Sequence, residues 1–218
     1  MLKVEQLNAW YGPAQILFDV TLTVQRGEVV CLMGRNGAGK STTMKTIMAM
    51  LARRLGKVTW MGHDITRWPT HRIAASGLGF VPQERRIFTD LTVAENLEVG
   101  RQPARRWSEA EALPEWTAQR VFALFPNLAS MGARQASKMS GGEQQMLSVA
   151  RTLMGNPYLV LLDEPAEGLA PVLVEEMARM ISTLKAQGVS ILLSEQNLHF
   201  AKLVSDRAYV IENGCMLA

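Results

Sequence analysis

The chain has 218 residues, a formal net charge of +3 at pH 7 and 48% hydrophobic residues. This length suits one globular α/β domain, and the longest apolar runs, such as Tyr158–Leu162, are far shorter than the ~20 residues of a membrane span. No basic and apolar leader opens the sequence, so we expect a cytoplasmic protein. Two cysteines, Cys31 and Cys215, are too few for a disulfide framework, and we expect both thiols to be reduced and buried.

The first half of the chain indicates strands followed by helices. Alternating apolar residues at Leu2–Leu7 and Val20–Val24 predict two half-buried strands in an antiparallel arrangement. The apolar run Val29–Met33 predicts a strand covered on both faces, followed by a glycine-rich turn and a helix from about Ser41. We therefore predict an α/β fold with a parallel, helix-covered sheet. Further buried strands of this sheet are predicted at Leu78–Val81, Tyr158–Leu162 and Val189–Leu193.

The middle of the chain has a different pattern. From about residue 85 to 157 no long β-branched run occurs, and Trp116–Phe125 and Glu143–Met154 have helical periodicity. We predict a single domain over residues 1–218, with an α/β core formed by 1–84 and 156–218. Residues 85–155 are predicted to be a helical subdomain inserted into that core.

The segment Gly34–Ser41 reads GRNGAGKS, a complete G-x-x-x-x-G-K-S phosphate loop between a predicted strand and a predicted helix. Glycines allow successive backbone N–H groups to turn toward phosphate oxygens, and the helix N-terminus favours the same anion. Lys40 is predicted to reach the β- and γ-phosphates and Ser41 to bind magnesium. A glycine-rich turn without function is the alternative, and the flanking strand and helix argue against it. The predicted ATP-binding residues of this loop are Gly34, Arg35, Asn36, Gly37, Ala38, Gly39, Lys40, Ser41 and Thr42.

Asp163 and Glu164 follow the predicted strand Tyr158–Leu162, so they lie where side chains of a parallel sheet face a ligand crevice. Asp163 suits coordination of Mg²⁺ through water, and Glu164 suits the role of general base for the attacking water. An acidic helix start is the alternative. The phosphate loop upstream favours the catalytic interpretation.

The segment Met139–Gln145 reads MSGGEQQ and has the pattern of a capping box, with Ser140 at the N-cap and Glu143 three residues later. Two glycines in the first turn of a helix cost about 1 kcal/mol each against alanine. We therefore predict that this helix N-terminus comes close to an anionic ligand.

In chain order, the phosphate loop, the segment Met139–Glu143 and the pair Asp163–Glu164 resemble the ABC (ATP-binding cassette) ATPase superfamily, and the resemblance extends over essentially the whole chain. Met139–Glu143 corresponds to the family's signature motif, with Met for the usual Leu and Glu for the usual Gln. The resemblance implies a RecA-like core, MgATP as cofactor and two cassettes paired head to tail, with each ATP between one phosphate loop and the partner's signature. It places Tyr11 at the adenine-stacking position, and Gln83 at the glutamine loop, as a catalytic residue and magnesium ligand. It also assigns ATP contacts to Ser140, Gly141, Gly142 and Glu143 of the signature.

Within that superfamily the sequence is similar to ATPase subunits of branched-chain (hydrophobic) amino acid importers and their urea- or amide-importing relatives. The resemblance implies a similar or identical second ATPase, two membrane permeases, a periplasmic solute-binding protein and a place on the cytoplasmic face of the membrane. Gln196, a predicted catalytic residue, replaces the histidine that the superfamily usually has at the switch position. Ala170 replaces an aspartate that usually follows the acidic pair, and both replacements recur in the importer subgroup. Glu84, by contrast, stands at a position where that subgroup more often has glycine. The resembling stretches are Val81–Phe88, Leu91–Leu97, Asp163–Pro171 and Ser194–Asn197.

Three alternatives remain open: an ATPase of a lipid or lipopolysaccharide exporter, an ABC ATPase acting on nucleic acid or ribosomes, and a nucleotide-binding switch without turnover. The basic clusters Arg53–Arg54, Arg85–Arg86 and Arg105–Arg106 are short and typical of solvated surface, so we expect no nucleic-acid partner. Glu164 argues against the switch. None of His63, His71 and His199 has metal-ligand spacing, and we expect them in surface or core positions.

Overall fold

The computed structural model describes residues 1–104 and 115–217, so the Arg105–Arg106 cluster lies outside the described residues. Within these ranges no helix is both long and apolar enough to cross a membrane. The strands are β1 (Leu2–Tyr11), β2 (Ala14–Val24), β3 (Val29–Met33), β4 (Arg53–Trp60), β5 (His63–Asp64), β6 (Leu78–Val81), β7 (Leu159–Asp163), β8 (Ser190–Glu195), β9 (Arg207–Glu212) and β10 (Cys215–Met216). The α-helices are α1 (Lys40–Ile47), α2 (Thr70–Ala75), α3 (Val93–Gly100), α4 (Ala118–Leu124), α5 (Pro126–Ala129), α6 (Gly141–Leu153), α7 (Pro171–Ala186) and α8 (Leu198–Val204).

Strands β1, β2, β4 and β5 form an antiparallel sheet in the order β2-β1-β4-β5. The predicted antiparallel pairing of the first two strands is confirmed, and Leu2 lies opposite Val24. Strand β4 was not predicted, because its charged first half conceals the alternation that buries Val58 and Trp60. Gly56 has a φ of +106°, and a β-carbon there would lie 2.4 Å from the carbonyl oxygen of Gln6, so this position requires glycine.

The other sheet has the strand order β10-β9-β3-β8-β7-β6, and its pairs are parallel except for β10 against β9. Side chains of its central strands enter two cores alternately. Val29 and Cys31 of β3 pack with the helices of the middle region, whereas Val30 and Leu32 pack toward α1 and the antiparallel sheet. The continuous apolar runs are thus explained by burial on both faces, and the predicted α/β fold is confirmed.

The described part of the middle region is helical, with α3 packed against α6. Both helices begin with a capping box, formed by Thr92 with Glu95 and by Ser140 with Glu143. The boundaries of the predicted helical subdomain, 85–155, stay predictions.

The prediction that both cysteines are buried is confirmed for Cys31 and wrong for Cys215. Cys31 is buried in β3, and burial raises the pKa of its thiol to about 12. Cys215 is exposed on the two-residue strand β10 at the edge of the sheet, outside both hydrophobic cores.

Candidate active site

The phosphate loop connects β3 to α1 and turns on two glycines with left-handed backbones, Gly37 (φ +81°) and Gly39 (φ +111°). Helix α1 begins without a side-chain cap and without an acidic residue in its first turn. Its N-terminal N–H groups therefore favour an anion. The Lys40 side chain is buried, and its Nζ donates hydrogen bonds to the carbonyl oxygens of Gly34 (2.8 Å) and Arg35 (3.0 Å).

The acidic pair meets the phosphate loop at the carboxyl end of β7. Ser41 Oγ donates to Asp163 Oδ1 over 2.9 Å, and Lys40 Nζ lies 2.9 Å from Glu164 Oε1. Ser194 of the neighbouring β8 donates from its Oγ to Asp163 Oδ1 over 2.7 Å and accepts from the Glu164 N–H over 2.9 Å. The sequence did not single out Ser194, which becomes recognisable once β7 and β8 pair with Asp163 opposite it.

Glu164 combines burial with an unusual backbone. It is 6% exposed and has a φ of 47°, a left-handed conformation that costs a non-glycine residue about 1–3 kcal/mol. Among the described residues, Glu164 Oε2 and Asp163 Oδ2 have no hydrogen-bond partner although both are buried. These two oxygens are available to a ligand, a cation or a water molecule.

A third carboxylate, Glu195, lies at the end of β8 and was missed from the sequence. It is 3% exposed, and its backbone carbonyl accepts the N–H of Gly34, the first residue of the phosphate loop, over 3.1 Å. Burial raises the pKa of Glu195 to about 7; the N–H groups of Asn197, Ala166 and Gln196 oppose the rise, and the Glu164 carboxylate adds to it. An acidic residue directly after the apolar run Val189–Leu193 was the available signal.

The glutamine loop and the switch position lie at the surface. Gln83 is exposed, and its amide donates a hydrogen bond to Glu167, just beyond the acidic pair. Gln196 is exposed and lines a pocket together with Gly34–Ala38 of the phosphate loop. His199 is exposed on α8, as expected for a residue without a site role.

The signature motif forms the N-terminus of α6. The Ser140 N–H donates to Glu143 Oε2 over 2.6 Å, and the Glu143 N–H donates to Ser140 Oγ over 3.3 Å. A β-carbon on Gly141 would lie 2.7 Å from a guanidinium nitrogen of Arg85, and one on Gly142 would lie 2.2 Å from Leu173 Cδ1. Both glycines thus let the first turn of α6 approach these two side chains closely.

The structure brings together the phosphate loop, the acidic pair and the loop of Gln196, but it leaves other predicted residues apart. Tyr11 is 49% exposed at the end of β1. The signature packs against Arg85 and α7, whereas Gly34 and Gly39 of the phosphate loop pack against Ile211 of β9. These separated surfaces have to be combined by a ligand or by a second chain if they act in one site.

Comparison with known proteins shows similarity over nearly the whole chain. The family model described as ABC transporter matches residues 17–167. The high-affinity branched-chain amino acid transport ATP-binding protein BraG of Pseudomonas aeruginosa is 39% identical over 214 residues, which are 98% of this chain and 90% of BraG. The lipopolysaccharide export system ATP-binding protein LptB of Haemophilus influenzae is 34% identical over 224 residues, covering 100% of this chain and 89% of LptB.

Solved structures share the fold. The ADP conformation of MJ1267, an ATP-binding cassette of an ABC transporter, superposes with a TM-score of 0.81 at 28% identity, covering 100% of this chain and 89% of MJ1267. The dimeric post-hydrolysis structure of the cassette MJ0796, bound to ADP and Pi, has a TM-score of 0.83 at 22% identity, covering 100% of this chain and 97% of MJ0796. The predicted fold class is confirmed by these superpositions.

Proposed function

Because the chain belongs to the family of ABC transporter ATP-binding proteins, we propose that it is the ATP-hydrolysing subunit of an importer for branched-chain or other hydrophobic amino acids, or for a urea- or amide-like solute. The chain is an ATPase whose hydrolysis of ATP is coupled to transport. The observation that carries the proposal is the meeting of phosphate loop and acidic pair, where Ser41 contacts Asp163 and Lys40 contacts Glu164. The similarity to BraG supports the solute class.

ATP is proposed to bind on the phosphate loop, with its phosphates over the N-terminus of α1. The carbonyl oxygens of Gly34 and Arg35 now hold the Lys40 ammonium group, which lies beside the place of the β- and γ-phosphates. Tyr11, exposed at the hairpin that joins β1 to β2, offers an aromatic face to the adenine base.

Magnesium is proposed to be held by Ser41 and Asp163, with Gln83 joining them when its loop approaches. The donor set fits the ion, because Mg²⁺ prefers a hydroxyl, one or two carboxylates, water and phosphate oxygens over a cage of protein ligands. The orphan Asp163 Oδ2, buried beside the Ser41 hydroxyl, is an oxygen of the right kind. When bound, the ion would neutralise charge on the phosphates.

In the proposed hydrolysis Glu164 orients the attacking water and accepts its proton. Its Oε2 has no partner in the described part of the chain, whereas its Oε1 is paired with Lys40. Lys40 stabilises charge on the phosphates, and Gln83 and Gln196 donate amide hydrogen bonds to the γ-phosphate or the water. Burial of Asp163 and Glu164 strengthens each of these electrostatic interactions.

A second cassette is proposed to complete each site, and the dimeric structure of the cassette MJ0796 supports such a pairing. The signature residues Ser140–Glu143 of one chain would contact the ATP on the partner's phosphate loop. The N-terminus of α6 is accessible for this role, because Ser140 is exposed at the surface.

Two permeases are proposed as membrane partners, docking on Glu84–Leu97 at the cytoplasmic face, with a solute-binding protein acting through them. Arg85 and Arg86 have left-handed backbones with φ values of 62° and 48°. Their carbonyl oxygens accept hydrogen bonds from Ser148 Oγ and Arg151 Nη2 of α6, each 2.5 Å long. A displacement of this loop by a permease would therefore reach the helix that carries the signature.

Nucleic acid is not proposed as a partner. The Arg53 guanidinium stacks on Trp10, 4.8 Å from its ring centre, and Arg54 donates hydrogen bonds to the carbonyl oxygens of Leu51 and Thr66. Both arginines thus have contacts within the chain, and the proposal assigns them no role in binding a partner.

Lipopolysaccharide export is the second candidate function, because LptB matches the whole chain at 34% identity.

To decide between import and export, the protein is reconstituted with the permeases of its own gene cluster. ATP hydrolysis is then measured with and without the cognate binding protein. Stimulation by that protein loaded with leucine or a urea-like solute supports import, with Lys40→Ala as the inactive control. Stimulation by lipopolysaccharide, with none by an amino acid or amide, would refute it.

A further inference from the structure

Ser194 is a polar residue at a fully buried position, and the proposed mechanism gives it no role. It lies on β8, where every residue is buried. A hydroxyl taken out of water costs free energy unless it is hydrogen-bonded. The Ser194 hydroxyl meets this need at the active site, because it hydrogen-bonds to both members of the acidic pair, Asp163 and Glu164.

Hydroxyl groups fix the carboxylate of Asp163 on one side. Its Oδ1 accepts hydrogen bonds from Ser194 Oγ over 2.7 Å and from Ser41 Oγ over 2.9 Å. A carboxylate oxygen has about two lone-pair sites, so these two donors occupy Oδ1. The other oxygen, Oδ2, is buried and has no hydrogen-bond partner within the described residues. The orientation of the carboxylate therefore leaves Oδ2 as the oxygen available to a cation.

The same hydroxyl also holds the backbone of the proposed general base. Ser194 Oγ accepts the N–H of Glu164 over 2.9 Å. Glu164 has a φ of 47°, and a left-handed conformation of a non-glycine residue persists only when surrounding contacts fix it. One serine thus contacts the side chain of the first acidic residue and the backbone of the second.

We propose that Ser194 is a positioning residue of the ATPase site. It keeps Asp163 in the orientation that leaves Oδ2 available to the proposed magnesium ion, and it holds the Glu164 backbone beside that carboxylate. This inference rests on the roles proposed above for Asp163 and Glu164. Groups that hydrogen-bond to a metal ligand orient it, and their loss typically lowers metal affinity or activity by ~10–100-fold.

The test compares the loss of two buried hydroxyls on the same strand. Ser194→Ala removes the hydroxyl beside the acidic pair. Ser190→Ala, the matched control, removes a buried hydroxyl at the opposite end of β8, where Ser190 Oγ accepts the Gly27 N–H over 2.9 Å. For each variant, the dissociation constant of AMP-PNP, a non-hydrolysable ATP analogue, is measured with Mn²⁺ and with EDTA. The ratio of the two constants reports how much the cation contributes to binding, and it does not depend on turnover.

For Ser194→Ala we expect this ratio to fall by ~10-fold, while AMP-PNP binding in EDTA stays within about threefold of wild type because the phosphate loop is unchanged. The single-turnover rate at saturating Mg²⁺ should also fall by ~10-fold, since the Glu164 N–H loses its acceptor. Ser194→Cys nearly keeps the shape of serine but hydrogen-bonds weakly, so it should resemble Ser194→Ala. Ser190→Ala should lower Tm but keep both the ratio and the rate within about threefold of wild type.

A ratio or a single-turnover rate of Ser194→Ala within about threefold of that of Ser190→Ala would overturn the proposal. So would an equal loss of AMP-PNP binding in EDTA, because it would indicate general damage to the site. A wild-type ratio near 1 would refute the proposed magnesium site, and this inference with it. Hydrolysis by the wild type, with Lys40→Ala as the inactive control, tests the proposed function separately.

Discussion

At the residue scale, the site contains three buried carboxylates, and the ion pair between Lys40 and Glu164 balances the charge of one of them. Asp163, Glu164 and Glu195 are all buried at the ends of β7 and β8, and Lys40 is paired with Glu164. Burial of an uncompensated carboxylate costs several kcal/mol. This cost has to be offset by hydroxyl and N–H donors, by a proton on Glu195 or by a bound cation. A bound cation at this place would supply positive charge that the observed contacts of the three carboxylates lack.

Glu164→Gln tests the general base. The amide keeps the shape of the side chain and can still hydrogen-bond, but it cannot accept the proton of the attacking water. We expect turnover to fall by ~10²–10⁴ while ATP binding persists. Single-turnover hydrolysis and nucleotide titration measure the two properties separately. Glu175→Gln is the matched control, because it makes the same change at an exposed residue of α7, and it should behave like wild type.

Gln196→Ala tests the switch position. The amide donates a hydrogen bond but carries no charge, so its loss should lower turnover by ~10–100-fold. The loss should be the same from about pH 6 to pH 8, the range in which a histidine would titrate. His199→Ala, on the exposed side of α8, should stay within a few-fold of wild type. If His199→Ala abolished turnover and Gln196→Ala did not, the assignment of the switch to Gln196 would be wrong.

At the element scale, α6 is the structural centre of the helical part. Its first turn contacts Arg85 and Leu173 through Gly141 and Gly142, and its Ser148 and Arg151 bind the strained loop after Gln83. The Arg151 guanidinium also stacks on Phe88, 4.9 Å from its ring centre. Helix α6 therefore links the signature mechanically to the proposed docking loop.

Gly100→Ala tests how closely α3 must approach α6. A β-carbon there would lie 2.4 Å from the carbonyl oxygen of Arg151, a backbone atom that cannot move aside freely. Helix propensity alone would favour alanine by about 1 kcal/mol, but we expect a net loss of ~1–3 kcal/mol in the free energy of unfolding. In Gly132→Ala the new β-carbon would lie 3.8 Å from the Ala129 carbonyl oxygen. Denaturant unfolding should show a change within ~0.5 kcal/mol for that control.

At the scale of the whole molecule, the predicted ATP contacts lie on surfaces that the described chain does not join. The phosphate loop lies between the sheets and borders β9, whereas the signature contacts Arg85 and α7. A second copy or a similar cassette in head-to-tail orientation would bring one phosphate loop to the other chain's signature. Symmetric pairing of this kind forms two equivalent sites.

Mixing two inactive variants tests these composite sites. Lys40→Ala disables the phosphate loop, and Ser140→Arg fills the signature N-terminus with a bulky side chain. In a mixed dimer, one site carries both changes and the other carries neither, so we expect mixtures to recover part of the ATPase activity that each variant lacks alone. Titrating one variant against the other measures this recovery. ATP-dependent dimerisation that survives Ser140→Arg unchanged would contradict the shared site.

The sequence by itself determined the features that depend on near neighbours along the chain. The phosphate loop, the acidic pair after an apolar run and the capping box at Ser140 and Glu143 are local patterns with a local physical cause. Only the tertiary structure decided which distant groups meet. It placed Ser194 beside Asp163, buried Glu195 at the end of β8, brought Gly141 and Gly142 close to Arg85 and Leu173 and left Cys215 exposed. These outcomes depend on strand register and helix approach, which arise from contacts between residues far apart in sequence and leave no periodic signal in it.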